Sequence, residues 1–154
     1  MISSSALTAE LVLASGADEL AAHFAVRRRV FVELQGLFAG SDRDARDDAP
    51  DTLHVVGLID GEVVGTVRLY PLRGTLWKGD RLAVLPDARV HRLGALLVQF
   101  AVRTAGALGG ARMVAQVQVS NVRFFERLGW ERDGSAAVYC GVMHQPMAIG
   151  LQAP

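Results

Sequence analysis

Apolar residues recur along this chain in two rhythms, and the switches between them divide it into strands and helices. Ala9 to Ala14 is a short apolar run suited to an edge strand. Ala17 to Phe31 turns helical: Leu20, Phe24 and Phe31 lie on or near one face, and Arg27, Arg28 and Arg29 crowd another part. A long polar loop, dense in aspartate, runs from Gly36 to Asp51. Leu53 to Ile59 and Glu62 to Tyr70 are β-rich runs joined at Asp60-Gly61, a strong hairpin signal. Arg81 to Leu85 reads as another short strand, stopped by Pro86. Arg92 to Leu108 has a broad apolar helical face closed by Gly109-Gly110, and Arg112 to Val119 alternates as a strand. A short helix from Asn121 and two last strands, near Trp130 to Tyr139 and Val142 to Ile149, complete the chain.

This order predicts one layered domain over residues 1–154, α/β or α+β, with helices packed on a central sheet. A chain of 154 residues is long enough to bury a real core. There is no internal repeat and no low-complexity linker. Sixteen acidic residues balance sixteen basic ones, so no global field favours nucleic acid or an anionic membrane. Apolar stretches are broken well before the ~18 residues a membrane span needs. MISSSALTAE has neither a basic segment nor a sustained apolar core, which argues against a signal peptide. The only cysteine, Cys140, permits no internal disulfide, and a cytoplasmic protein is the expectation.

Two junctions carry candidate chemistry. In the first, PDARVHRLGALL links a strand to a helix start, where unpaired backbone N–H groups and the helix dipole form an anion site suited to a pyrophosphate. Arg89, His91 and Arg92 add donors or positive charge, and Gly94 permits close backbone approach. The second is NVRFFERLGWE: Ser120 or Asn121 can cap a helix, Phe124, Phe125 and Leu128 share one side, and Gly129 suits the left-handed residue that ends it.

The pattern N-x-x-F-[FY]-x-x-x-G-[FW], met by Asn121 to Trp130, resembles the acyl-CoA-binding arm of the GNAT superfamily of N-acetyltransferases. The superfamily's phosphate loop, [QR]-x-x-G-x-[GA], is matched by Arg89 and Gly94, with Arg92 where the first glycine normally stands. The segment from Arg27 to Arg68 is similar to the ElaA-like branch: Arg27, Val30, Phe31, Val32, Gln35, Asp42, Asp44, Asp47, His54, Gly57 and Arg68 match, as do Arg81 and His144. GLF-x-x-SDRD also resembles acetyltransferases linked to bacterial nitrogen-starvation gene clusters. The resemblance implies a central mixed, mostly antiparallel sheet flanked by helices. It also implies a CoA-dependent N-acyltransferase passing acetyl from acetyl-CoA, or another acyl-CoA, to a primary amine of a small molecule. A non-catalytic acyl-CoA-binding or regulatory module is the alternative, with a homoserine-lactone-type acyltransferase after it.

Carried onto this sequence, the resemblance has backbone groups of Ala83, Val84 and Leu85 pair with the pantetheine arm as an extra strand. The loop from Arg89 through His91, Arg92 and Leu93 to Gly94 and Ala95 would hold the pyrophosphate. Asn121 would hydrogen-bond the pantetheine, with Phe124 and Phe125 lining its far side. Phe31, Gln35 and His144 fall in the acceptor region.

Many superfamily members place a tyrosine as the acid where this chain has Phe125, which cannot give up a proton. Tyr139 or Cys140 is a candidate substitute, and Glu33, His54 or His144 a candidate base acting through water. Glu33 stands one position before the branch's usual glutamate, which turns its carboxylate by about 100° on a helix. Arg68 and Arg81 either fix an acceptor carboxylate bidentately or pair with the aspartate loop. D-x-D-x-x-D-D lacks the glycine and closing glutamate of a calcium loop, and Arg46 holds a ligand-spaced position. His54 and His144 are too poor in companion ligands for zinc, so no metal is expected. Exposed apolar strand edges allow a homodimer.

Overall fold

The computed structural model describes residues 8–152, with the side chains of Val90 and His91 set aside. His91, expected at the phosphate loop, therefore lies outside the described side chains. Eight strands form one sheet: β1 (Ala9–Leu13), β2 (Leu53–Ile59), β3 (Glu62–Arg73), β4 (Leu76–Val84), β5 (Arg112–Gln118), β6 (Glu131–Arg132), β7 (Ala137–Tyr139) and β8 (Val142–Gly150). Their order is β1-β2-β3-β4-β5-β8-β6, with β7 also on β8. Only β4 and β5 pair in parallel. The sheet is thus mixed and mostly antiparallel, as expected.

Helix α1 (Gly16–Arg27) covers one face, and α2 (Leu93–Ala107) and α3 (Val122–Arg127) the other. Alternation along β4 shows the division: Leu82 and Val84 pack with Leu93 and Leu97 of α2, while Ala83 between them joins Val26, Val30 and Phe31. α2 lies close to the sheet because β2 and β3 present glycines beneath it. A Cβ on Gly65 would come within 2.9 Å of methyls of both Leu93 and Leu97.

Three elements depart from the sequence pattern. The first helix passes Phe31 and ends in a π-helical turn, Arg28–Leu34, in which Gln35 N–H donates to the Val30 carbonyl. β4 begins at Leu76, five residues before the expected Arg81; Gly79 and Asp80 hide it, since both are poor strand formers. The expected strand from Trp130 to Tyr139 is split into β6 and β7, where Gly134 takes φ 113° and Asp133 N–H reaches the Pro146 carbonyl. Asp60-Gly61 makes the expected hairpin turn, both residues at positive φ, and Cys140-Gly141 does the same between β7 and β8.

Candidate active site

β4 and β5 pair at only three positions, Leu76 with Arg112, Trp77 with Met113 and Lys78 with Val114. Beyond Lys78 they diverge, β4 still held by β3 and β5 by β8. The wedge between them is a cavity of about 160 Å³, walled by Gly79 to Leu82 on one strand and Ala115 to Gln118 on the other. A strand that has lost its neighbour presents unpaired N–H and C=O groups, which suit an extended chain bearing amides.

A bulge sharpens that wall. Thr66 opposes Ala83 and Arg68 opposes Asp80, so β4 carries one more residue than β3 across this interval. Arg81 takes up the excess at φ 53°, and its carbonyl accepts the Thr66 hydroxyl at 2.9 Å. Asp80 and Arg81 consequently both reach the network on the α1 side.

That network immobilises the aspartate loop. Arg68, 1% exposed, commits all five N–H donors: Nε and Nη2 to Asp80, Nη1 and Nη2 to Asp44, and Nη1 to Asp47. Arg27 is buried likewise among Asp42, Asp47 and His23. Burial alone would raise the Asp47 carboxyl, but hydrogen bonds from Arg27 and the Asp44 backbone, with the charges of Arg27 and Arg68, hold it well below the usual carboxylate range. Burial likewise opposes the charge on Arg68, yet bonds to Asp80 and Asp44 keep it firmly protonated. Of the two readings open for Arg68, pairing with the aspartate loop is the one realised, and no donor is left for an acceptor carboxylate. Arg81 also binds Asp42 and Asp44, yet it lines the cavity.

Of the five acid or base candidates, Tyr139 and His144 line the cavity. Glu33 is exposed and paired with Arg28 and Arg29. It points to the outer surface, while Phe31 and Gln35, two residues either side of it, face the cavity. His54 lies behind the sheet wall, its Nε2 at 3.2 Å from the Asp47 carbonyl, and burial lowers its pKa. Cys140 is exposed in the β7–β8 turn.

His144 is 4% exposed and lines the cavity, with the Tyr139 ring packed edge-on at 5.3 Å. Its Nδ1 sits 2.8 Å from the Val142 carbonyl, so in the neutral ring Nδ1 carries the proton and Nε2 the lone pair. Gln35 and Gln118 bridge across the mouth at 3.1 Å.

The two sequence junctions meet here. Asn121 occupies the N-cap position of α3 but makes no side-chain cap bond; it lines the cavity instead. The Phe124 ring reaches to 3.6 Å from where a Cβ of Gly94 would stand, which sets α3 beside the start of α2. Phe125 is buried between Phe124 and Trp130 and also faces the cavity. Trp130 brings an indole Nε1 that is buried and lacks a partner among the described residues. Its donor was not singled out from sequence, where Trp130 only opens a strand.

The phosphate loop differs in detail from its pattern. Pro86–His91 forms a 3-10 turn, and Arg92 at φ 58°, ψ 26° hands the chain into α2. Arg92 thus takes the left-handed conformation that a glycine adopts without strain. Leu93 is fully buried in the core, leaving its side chain no part in the loop's surface, and Ala95 is half-buried. At the expected pantetheine edge, Leu85 is already engaged: its N–H donates to the Val64 carbonyl, and its carbonyl accepts Ala88 N–H. The edge that β5 leaves unpaired runs from Gly79 to Val84. Among the described residues, no three His, Cys, Asp or Glu side chains gather as metal ligands would. No described helix is long and apolar enough to cross a membrane.

Comparison with known proteins agrees with this geometry. The model of the acetyltransferase (GNAT) family matches residues 20–130. A provisionally named acetyltransferase of Bacillus subtilis is 27% identical over 128 residues, 82% of this chain and 86% of its own length. Among solved structures, a provisionally named N-acetyltransferase of Lactobacillus plantarum superposes with TM-score 0.83 at 22% identity, covering 93% of this chain and 98% of that one. Escherichia coli ElaA gives 0.81 at 19% identity, over 94% and 99%.

Proposed function

Because the chain belongs to the acetyltransferase (GNAT) family, whose enzymes bind an acyl-CoA and an acceptor, we propose that it transfers acetyl from acetyl-CoA to the primary amine of a small molecule. The observation that carries this reading is the wedge between β4 and β5, with Asn121 on its wall and the Arg89–Gly94 loop beside it. In this reading pantetheine lies along the open edge of β4, and the N–H groups of the bulge face the thioester carbonyl. Donors fixed before the reaction stabilise the developing oxyanion without reorganisation.

Transfer proceeds by direct attack in a ternary complex. The neutral amine adds to the thioester carbon, the C–S bond breaks, and the amide forms as the thiolate departs. His144 Nε2 takes a proton from the attacking nitrogen, directly or through water, and Tyr139 returns one to the thiolate. Tyr139 thereby fills the role that Phe125 cannot. Juxtaposition of the two reactants supplies most of the acceleration, with proton transfer adding roughly 100-fold or more.

Calorimetry with acetyl-CoA, followed by thiol release with a panel of amines, tests the reading. No binding at high micromolar acetyl-CoA sinks it. Binding without turnover on a broad panel supports a non-catalytic acyl-CoA module instead.

A further inference from the structure

Lys78 is the last residue of β4 to pair with β5, stands at the apex of the wedge and is part of the cavity lining. Three residues of that lining carry a full charge: Lys78, Asp80 and Arg81. Asp80 is already answered. Its two oxygens take Nε and Nη2 of Arg68, each at 2.7 Å, and the Tyr70 hydroxyl adds a third contact at 3.4 Å. Lys78 has no carboxylate within 4.0 Å among the described residues. Arg81 commits Nε and Nη2 to Asp42 and Asp44, and its Nη1 stands 4.0 Å from Asp80. Arg81 is thus answered as well, which leaves Lys78 the one charged residue of the lining without a carboxylate partner among the described residues.

The cofactor's phosphates are not the group that answers it. Six residues of strand separate Lys78 from Val84, where β4 gives way to the phosphate loop. At ~3.3 Å per residue that is about 20 Å, along the length the pantetheine arm would occupy. Lys78 lies at the far end of the wedge from the pyrophosphate.

We propose that Lys78 forms an anion subsite that holds a carboxylate on the acceptor, so that the acceptor is an amino acid or a close relative of one. This rests on the acyltransferase reading and names the substrate class within it. The cation fixes one end of the acceptor while the amine at the other faces the thioester. His144 and Tyr139 line the same cavity as the proton carriers.

The test compares free amino acids with their carboxamides, glycine against glycinamide and alanine against alaninamide, by thiol release from acetyl-CoA. The ratio of kcat/KM for acid over amide is the readout, because the amide's amine is the less basic and single rates mislead. Lys78→Met is expected to lower that ratio tenfold or more, about 1.4 kcal/mol, and Lys78→Arg to keep most of it. A ratio that moves by less than twofold in Lys78→Met overturns the proposal. Where no acid or amide turns over, calorimetry of the CoA-loaded protein with N-acetylglycine and N-acetylglycinamide decides. Preference for the acid that Lys78→Met removes supports the subsite, and no preference overturns it. Titration with acetyl-CoA alone reads the acyltransferase assignment separately. No heat there overturns that assignment, whereas normal acetyl-CoA binding with no acid preference overturns the anion subsite alone.

Discussion

Arg68 grips Asp80 with two parallel hydrogen bonds, Nε to one carboxylate oxygen and Nη2 to the other, both 2.7 Å. Asp80 immediately precedes the left-handed Arg81 of the β4 bulge. The pair therefore anchors the strand at the point where it leaves β5, and its other donors tie the aspartate loop to the same place. A guanidinium suits this post because five donors in a rigid fork meet three carboxylates at once.

Arg68→Lys keeps the charge but offers three donors for five bonds. It is expected to destabilise the fold by about 1.5–3 kcal/mol, the scale of hydrogen bonds to charged groups. Arg68→Ala, which leaves the half-buried Asp80 without its guanidinium partner and weakens the pairing of Asp44 and Asp47, is expected to cost about 3–5 kcal/mol. Urea unfolding measures both; a lysine variant within ~0.5 kcal/mol of the parent contradicts this account of the network.

His23 makes stability depend on acid. It is fully buried, donates from Nδ1 to the Val55 carbonyl, and receives Arg27 on Nε2. Burial first, then the Arg27 charge, lowers its pKa from 6.5 to about 3. In the unfolded chain it protonates near 6.5, so between those values the unfolded state binds the extra proton. Its contribution is whole above pH 6.5 and is lost as pH falls toward 3. The expected limiting slope is about 1.4 kcal/mol per pH unit for one proton. His23→Asn, which keeps a donor toward Val55, should flatten the unfolding free energy between pH 4 and 6; an unchanged slope rules out His23 as the cause.

Much of this arrangement was legible in the sequence, and the omissions have physical causes. The Asp60-Gly61 hairpin, the α2 face and the α3 aromatic pair announce themselves through turn chemistry and periodicity, which are local. Whether Arg68 meets a substrate or an aspartate is decided by contacts 21 to 24 residues away, and no spacing rule resolves that. Asn121 shows the same limit, since a cap and a cavity wall demand the same residue type. The start of β4 was hidden because a bulged strand beside an active cleft carries Gly79 and Asp80, residues that serve the site against strand propensity. Lys78 passed unnoticed for that reason. The π turn after Arg27 leaves no local signature, whereas the displaced carboxylate of Glu33 follows from its position one residue before the branch's glutamate.

Arg92 offers a case in which stability and ligand binding should part. A non-glycine residue at φ 58° costs about 1–2 kcal/mol, while glycine costs roughly 0.5–1 kcal/mol in chain entropy. Arg92→Gly is therefore expected to stabilise the free protein slightly, by about 0.5–1 kcal/mol. It also removes an exposed guanidinium from the phosphate loop, worth ~0.2–1 kcal/mol to a bound anion. Thermal unfolding should rise as the acetyl-CoA dissociation constant increases about two- to fivefold. A variant that binds more tightly shows that the side chain obstructs the phosphates.

The last prediction separates proton transfer from binding. Tyr139 and His144 belong to the β7–β8 hairpin, so their edge-on contact is set by the pairing of Ala137 with His144 and of Tyr139 with Val142. Removing the phenol should leave that contact intact while deleting the donor to the thiolate. Tyr139→Phe is accordingly expected to lower kcat about 10- to 100-fold with the acetyl-CoA dissociation constant within about twofold of the parent. His144→Asn retains a donor toward the Val142 carbonyl but loses the Nε2 lone pair, and a loss of about 100-fold or more in kcat is expected. Stopped-assay thiol release and calorimetry on the same preparations give the two readouts. A Tyr139→Phe protein with full turnover would mean that the thiolate leaves unaided or takes its proton from water. Equal loss of acetyl-CoA affinity in both variants would instead make the hairpin a wall of the cofactor site, with proton transfer left to water.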